Sequence, residues 1–150
     1  MPKVLSVHSG DRKGSGKPAV LFGELVLDFG LRGDRHAGRD PVRQVSLFSE
    51  EVRLGLVAKG FAVPAEALSA NILTLDLPLD ALPTGTLLRL GEAELELTEK
   101  RVPCRSITRI DHHLPKLLMG CCGQLARVTK GGLVRPGDAI EVITPAWLSD

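Results

Sequence analysis

Cys104 has the clearest potential for chemistry in this chain, because of the charges around it. Residues 100–109 contain no acid and four cations: Lys100, Arg101, Arg105 and Arg109. Nearby cations favour a thiolate over a thiol, and the thiolate is both the nucleophile and the metal ligand. Pro103 stops strand pairing just before the sulfur, which predicts a cysteine in a loop at a strand end. The alternative is a small apolar residue buried under that loop, as free cysteines often are.

A second segment rich in functional side chains is Gly33-Asp34-Arg35-His36-Ala37-Gly38. Glycines let a backbone approach a ligand closely, Arg35 could bind a phosphate with two N–H groups, and His36 could donate to one. The alternative is a polar surface turn in which Asp34 bonds its own backbone. Residues 32–43 also carry four arginines: Arg32, Arg35, Arg39 and Arg43. If this first basic segment meets the second, residues 100–109, the two form a local anion site.

Three further patterns have a chemical and a structural interpretation. Asn71 stands at the start of a predicted strand, where it either caps a turn or faces a site. The adjacent Cys121 and Cys122, even with His112 and His113 nearby, lack the paired spacing of a structural zinc site, and favour a tight passage from helix to strand. A triad of Cys104 with His36 or His113 has the required residue types, but the spacing gives it no particular support.

Composition narrows the class of protein. The chain has 150 residues, enough for one domain (residues 1–150) with a real core, and it contains no apolar run long enough to span a bilayer. Its N-terminus does not resemble a signal peptide, so we expect a cytoplasmic protein with three reduced cysteines. A net charge of +1 and five aromatic residues, four Phe and one Trp, argue against nucleic acid as the ligand.

Short segments between Pro and Gly residues predict a mainly β protein. Alternation is clearest in residues 92–98, where alanine and leucine face one side and glutamates the other. Further strands are predicted at residues 4–8, 86–90, 125–129 and 139–143, and with weaker patterns at 19–27, 43–48 and 71–75. Gly91-Glu92 suits a two-residue hairpin turn, and the segment Arg135-Pro136-Gly137-Asp138 suits a type II turn.

Two helices are predicted beside these strands. Ser49 is a good N-cap for the first, which is expected to end near Lys59-Gly60. The second is expected to begin near Asp111, to accommodate Pro115 in its first turn and to stop at Gly120. Many short strands with two or three short helices predict a closed or nearly closed β-barrel, which leaves no exposed edges. The chain is expected to have an irregular end after Thr144.

With these residues considered together, the chain resembles the MOSC family, named for the C-terminal domain of molybdenum cofactor sulfurases. The similarity extends from about Val4 to Ile143, and Ala70 and Leu125 replace an acid and an aromatic residue of the family pattern. Its ordered segments are 33–38 followed by 43–48, the strand 71–73, Pro103-Cys104, and 125–128 leading to 131–132 and 134–138.

The resemblance implies a β-rich barrel that holds a molybdenum cofactor. Cys104 matches the family cysteine that ligates molybdenum or carries sulfur, and Asn71 is expected close to the metal, orienting a substrate or an oxo group. The family is also associated with pyridoxal phosphate binding. The residues expected to contact the pterin or its phosphate are Arg35, His36, Arg43, Arg105 and Arg127.

Two functions of different class follow from the resemblance. The first is a molybdenum-cofactor enzyme that reduces N-hydroxylated compounds, such as hydroxylamino purines or amidoximes. It needs a separate electron donor, because the chain has no ferredoxin-like cysteine spacing and no dinucleotide fingerprint. The second is a sulfur carrier or cofactor-handling module that receives a persulfide on Cys104 from a cysteine desulfurase. A barrel that has lost its cofactor site and serves in protein interactions is a third alternative.

Overall fold

The computed structural model describes residues 1–12 and 16–144. These residues are mainly β with three short helices, as the sequence predicts. The strands are β1 (Lys3–His8), β2 (Ala19–Val20), β3 (Gly23–Val26), β4 (Gly30–Leu31), β5 (Val45–Ser49), β6 (Ile72–Leu75), β7 (Leu87–Leu90), β8 (Ala93–Lys100), β9 (Gln124–Lys130), β10 (Gly132–Val134) and β11 (Ile140–Thr144). The helices are α1 (Glu50–Ala58), α2 (Arg105–Ile110) and α3 (Leu114–Leu117), and two 3₁₀ turns cover Ala65–Leu68 and Leu79–Ala81.

The strands form two sheets. Eight of them lie in the order β11-β7-β8-β9-β5-β6-β1-β2, and β10-β3-β4 form a second, three-stranded sheet. The pair β5–β6 is parallel, while the other pairs among the described residues are antiparallel. Because β5 is central in the large sheet, all five of its residues are buried.

The predicted closed or nearly closed barrel is not confirmed, because the large sheet ends in two edge strands, β11 and β2. The start of β1 does approach β11, through a bridge between Lys3 and Ala139. The far end of β1 pairs instead with β2, through Val7 and His8. Within the described residues, β1 therefore meets the β11 side at one bridge, which does not make a continuous ladder.

Two apolar clusters hold the elements together. The larger cluster lies against the large sheet and includes the inward row of β8, Ala93, Leu95 and Leu97. The second cluster, which includes Phe48 and Ile107, lies between the sheet and the helices. It fixes the helical segment that follows β8 and therefore the position of Cys104.

The predicted strands are all found, with boundaries within a few residues of those expected, except that segment 19–27 divides. Its first part is β2 in the large sheet, and its second part is β3 in the small sheet. The exposed Leu21 and Phe22 lie at the change of sheet. The turn at Pro136-Gly137 also forms, with Gly137 at φ +92° and the Asp138 N–H donating to the Arg135 carbonyl at 3.1 Å. The chain end after Thr144 lies outside the described residues.

The first predicted helix is confirmed, and the second is confirmed in part, because the segment contains a shorter helix with Pro115 in its first turn. Ser49 caps α1 by accepting a hydrogen bond from the Val52 N–H at 3.3 Å. The segment predicted as one helix from Asp111 to Gly120 contains only α3, while α2 begins directly after Cys104. Asp111 has extended backbone, φ −167° and ψ 135°, which separates the two helices. Packing of Ile107 into the second cluster stabilises α2 where the polar sequence does not indicate a helix.

Candidate functional site

The two basic segments line one cavity of about 650 Å³, which we call the arginine-lined cavity. Four arginines contribute to its lining, Arg35 and Arg43 from the first segment and Arg101 and Arg109 from the second. Glu66 is the one carboxylate among the described lining residues. The volume is typical of a small-molecule site, and the excess of arginine favours a ligand with negative charge.

Cys104 lies in this cavity and is exposed. A reactive cysteine must be accessible, whereas a cysteine that only fills space in the core would be buried. Strand β8 ends at Lys100, and Cys104 has the N-cap position of α2. Its Sγ is 2.9 Å from the Ser106 Oγ and 3.9 Å from the Arg101 Nη2. Partial burial raises the pKa of Cys104, but hydrogen bonds from Ser106 and the charge of Arg101 outweigh it and lower that pKa from 9.0 to about 7.

Arg101 is held at the cavity wall with one nitrogen unused. Its Nη2 donates to the Leu68 carbonyl at 2.7 Å, at the end of a 3₁₀ turn. Its Nη1 is buried and has no hydrogen-bond partner among the described residues. A buried donor without a partner is unfavourable. A ligand that accepts a hydrogen bond from Nη1 removes this cost, and therefore binds more favourably than it would to an exposed arginine.

His36 also lines the cavity, and it belongs to a buried ionic network that sequence reasoning missed. Lys17 Nζ is 2.9 Å from Asp34 Oδ2 and 2.8 Å from His36 Nδ1. The Lys17 and Asp34 side chains are both fully buried. Lysine is normally exposed, so nothing in the pattern around Lys17 indicates this contact. Asp34 also accepts from the His36 backbone N–H at 3.1 Å, the local turn bond that was the alternative for this segment.

Asn71 lines the cavity from the start of β6 and is fully buried. Its Oδ1 accepts from the Ser46 N–H at 3.0 Å, and its Nδ2 donates to the His8 carbonyl at 3.1 Å. Both ends of the amide therefore join neighbouring strands. Ser46, which also lines the cavity, is 7 % exposed, and its Oγ has no hydrogen-bond partner in the described part of the chain.

Of the other residues predicted to contact the cofactor, one lines the cavity and two do not. Arg43 lines the cavity and its Nε donates to Glu99 at 2.6 Å. Arg127 pairs across the sheet with Glu96 on β8, to which its Nη2 donates at 2.7 Å, and it does not line the cavity. Arg105 is exposed on α2 and is also absent from the cavity wall. The alternation of β9 places Arg127 on the opposite side from the buried Ala126 and Val128.

The other cysteine and histidine patterns do not form a site with Cys104. Cys122 is fully buried in the second cluster, and burial raises its pKa to about 11. Gly123 follows it in close contact with β5, because a Cβ there would be 2.1 Å from the Leu47 carbonyl. This is the tight passage from helix to strand that the sequence predicts. Among the described residues no histidine bonds to the Cys104 sulfur, and His113 bonds instead to Asp111 at 2.9 Å.

Solved structures share this fold. The YuaD protein of Bacillus subtilis superposes with a TM-score of 0.81 at 22 % identity, covering 93 % of this chain and 94 % of that one. YiiM of Geobacillus stearothermophilus gives a TM-score of 0.78 at 19 % identity, covering 96 % of this chain and 76 % of that one. YiiM of Escherichia coli gives 0.74 at 26 % identity, covering 100 % and 72 %. These likenesses extend the fold to nearly the whole chain.

Two comparisons of sequence gave different results. None of the curated proteins compared with this chain matches it significantly. Residues 32–141 match the family model of the MOSC domain, and this span contains the segment 33–38 with His36, as well as Asn71 and Cys104. No helix in the described residues is both long enough and apolar enough to cross a membrane. Because the match covers more than two thirds of the sequence, the chain belongs to the MOSC domain family.

Proposed function

We propose that this protein binds the molybdenum cofactor in the arginine-lined cavity, with Cys104 as the molybdenum ligand, and that it reduces N-hydroxylated compounds. The observation that carries the proposal is the position of Cys104, an exposed thiol with a pKa of about 7 in a cavity lined by four arginines. A thiolate is a suitable ligand for a thiophilic metal, and arginines suit the terminal phosphate of the pterin.

The residues present fit such a group. The cavity volume of about 650 Å³ is within the range of cofactor sites. The buried Arg101 Nη1 and Ser46 Oγ have no partners in the described chain, and both residues belong to the cavity lining. Arg35 and Arg43, from the first basic segment, would supply further positive charge to the lining. Arg127 and Arg105 lie outside the lining and have no part in this proposal.

When bound, the cofactor supplies the two-electron redox chemistry. The chain's own residues prepare the site for it. Ser106 and Arg101 favour the thiolate of Cys104, so that less free energy is needed to remove its proton before it acts as a ligand. Asn71 holds the Ser46 backbone, and with it the cavity wall, in place. Conversion of N–OH to N–H consumes two electrons and two protons and releases water, and the electrons come from a separate donor protein.

A sulfur carrier is the second candidate, and the exposure of Cys104 favours it. An exposed thiolate can be reached by the persulfide of a cysteine desulfurase, whereas a cysteine at the bottom of a closed pocket cannot. In this reaction the Cys104 thiolate attacks the outer sulfur of the donor persulfide, and the donor cysteine leaves as a thiolate. Pyridoxal phosphate is not part of either proposal, because no lysine is among the described residues that line the cavity.

Metal and pterin content after expression in a host that makes the cofactor tests the main proposal. We expect bound molybdenum and pterin in the unaltered protein, and reduction of a hydroxylamino base with a chemical electron donor. Cys104→Ser should abolish both the molybdenum content and the reduction. Cys121→Ser is the matched control, since Cys121 does not line the cavity.

Three other outcomes would be informative. Cofactor retained in full by Cys104→Ser would refute the ligand assignment. Labelled sulfur accepted by Cys104 from a cysteine desulfurase, with no molybdenum bound, would support the carrier instead. Neither cofactor nor sulfur on the protein would refute both and favour an interaction module.

A further inference from the structure

Among the lysines of the described chain, only Lys17 has a fully buried side chain. Its backbone holds it from both sides: the N–H donates to the Glu66 carbonyl at 2.9 Å, and the carbonyl accepts from His8 Nδ1 at 2.9 Å. Gly16 precedes it at φ +72°, where a Cβ would come within 2.9 Å of the Glu66 oxygen. The chain is therefore shaped to bring an ammonium group into the interior.

The Lys17 ammonium group contacts two side chains, those of Asp34 and His36. Its Nζ is 2.9 Å from Asp34 Oδ2 and 2.8 Å from His36 Nδ1. Asp34 in turn accepts from the Gly10 N–H and the His36 N–H, both at 3.1 Å. The Asp34 carboxylate therefore has hydrogen-bond donors on both oxygens and compensates the buried charge of Lys17. The imidazole of His36 reaches solvent, and its side chain is 51 % exposed.

This contact determines which nitrogen of His36 carries the proton. A lysine ammonium has only N–H donors, so the Nδ1 atom facing it must be an acceptor. A neutral imidazole with an accepting Nδ1 has its proton on Nε2. The electrostatics agree, because burial and then the nearby charge of Lys17 lower the pKa of His36 from 6.5 to about 4. Arg35 and Arg101 act in the same direction, and Asp34 opposes them.

The Nε2–H group has no protein partner in the described residues. His36 lines the arginine-lined cavity and also a smaller cavity of about 250 Å³, together with Arg35, Arg39 and Asp11. The ring therefore stands where the two cavities adjoin. Its bonded nitrogen faces the buried Lys17, and its other nitrogen is on the edge of the ring away from that contact.

We propose that Lys17 is a positioning residue that locks His36 in the Nε2–H tautomer, so that His36 provides an uncharged hydrogen-bond donor to the ligand of the arginine-lined cavity. Such a donor suits a carbonyl oxygen, a hydroxyl oxygen or an unprotonated ring nitrogen, where the surrounding arginines suit anionic groups. The identity of the ligand rests on the proposed function, but the tautomer of His36 and its dependence on Lys17 do not.

Nitrogen-15 NMR of the ligand-free full chain tests the proposal. Long-range correlations between ring protons and ring nitrogens distinguish the two neutral tautomers and the imidazolium form. We expect His36 at pH 7 as the Nε2–H tautomer, and we expect it to stay neutral when the sample is acidified to about pH 5.5. His36→Gln identifies the signals by removing them, and the exposed His112 and His113 are references in the same spectrum.

Lys17→Met is the direct perturbation, and Lys17→Met/Asp34→Asn is the second variant, which leaves no unpaired buried carboxylate if the first fails to fold. In a folded variant we expect a mixture of tautomers and protonation closer to the ordinary value of 6.5. An unaltered protein with His36 as Nδ1–H or imidazolium at pH 7 would overturn the proposal. An unchanged tautomer in the folded double variant would overturn the role of Lys17.

Molybdenum content separates this inference from the proposed function. If the tautomer changes as expected but no form of the protein binds cofactor, the proposed function fails and the positioning role of Lys17 stands. If the unaltered protein binds molybdenum while its His36 has the other tautomer, the positioning role fails and the cofactor assignment stands.

Discussion

Both proposed functions depend on the ionisation of Cys104. The pH dependence of the Cys104 alkylation rate reports this ionisation. With a pKa of about 7, half of the thiol is ionised at pH 7, whereas a thiol with the usual 9.0 is about 1 % ionised. That ratio is about 50-fold, but a thiolate of lower pKa is also a weaker nucleophile, by about 6- to 10-fold over this interval. We therefore expect alkylation about 5- to 8-fold faster than for an ordinary thiol at pH 7.

Ser106→Ala tests the cause of this ionisation. Its Oγ is 2.9 Å from the sulfur, and hydrogen bonds to charged groups contribute about 1.5–3 kcal/mol, less when the group is exposed as Cys104 is. At 1.36 kcal/mol per pH unit, the loss moves the midpoint of the alkylation profile upward by about 1 pH unit. Thr108→Val is the matched control, because its Oγ1 bonds to the Cys104 carbonyl and not to the sulfur.

The assay is the rate of iodoacetamide labelling between pH 5 and pH 10, followed by mass spectrometry of tryptic peptides. Trypsin separates peptide 102–105, which contains Cys104, from peptide 117–127, which contains the other two cysteines. Arg101→Gln should also move the midpoint upward, because it removes the neighbouring positive charge. A midpoint above about pH 8.5 in the unaltered protein would refute the assigned ionisation, and equal midpoints in all variants would refute its assigned cause.

Three other predictions concern the frame of the site. Lys17→Met leaves the buried Asp34 carboxylate unpaired, so we expect the free energy of unfolding in urea to fall by about 3–5 kcal/mol. This loss should shrink as the pH is lowered, since protonation removes the unpaired charge, and a loss below about 1 kcal/mol would contradict the pairing. Asn71→Ala leaves two backbone groups of neighbouring strands without partners, at about 1–3 kcal/mol each in the same measurement; a neutral change would show that the amide does not join them. Arg43→Gln should lower molybdenum content after expression with cofactor, whereas Arg127→Gln, which removes an arginine outside the cavity, should not; equal losses would contradict the placement.

Most of the strands were predictable because their patterns are local, but the short β4 and β10 were not predicted. Alternation in β8 and the N-cap of α1 each depend on residues within one element. The start of α2 was not predictable in this way. Its sequence is polar and cationic, and it is held as a helix by Ile107, whose partners in the second cluster come from distant parts of the chain. That the sheet stays open was not predictable either, because it depends on how β1 is shared between β2 and the approach to β11.

By itself the sequence determined the family and the mainly β class, because ordered motifs and strand patterns are local, and it predicted Cys104 as the reactive residue from its cationic neighbours. Only the tertiary structure decided which cations reach the cavity: Arg43 does and Arg127 does not. It also decided that Lys17 is buried against Asp34 and His36, a contact across 17 and 19 residues of sequence. The physical reason is that burial and pairing of a charge are properties of the whole packed chain, and short patterns do not encode them.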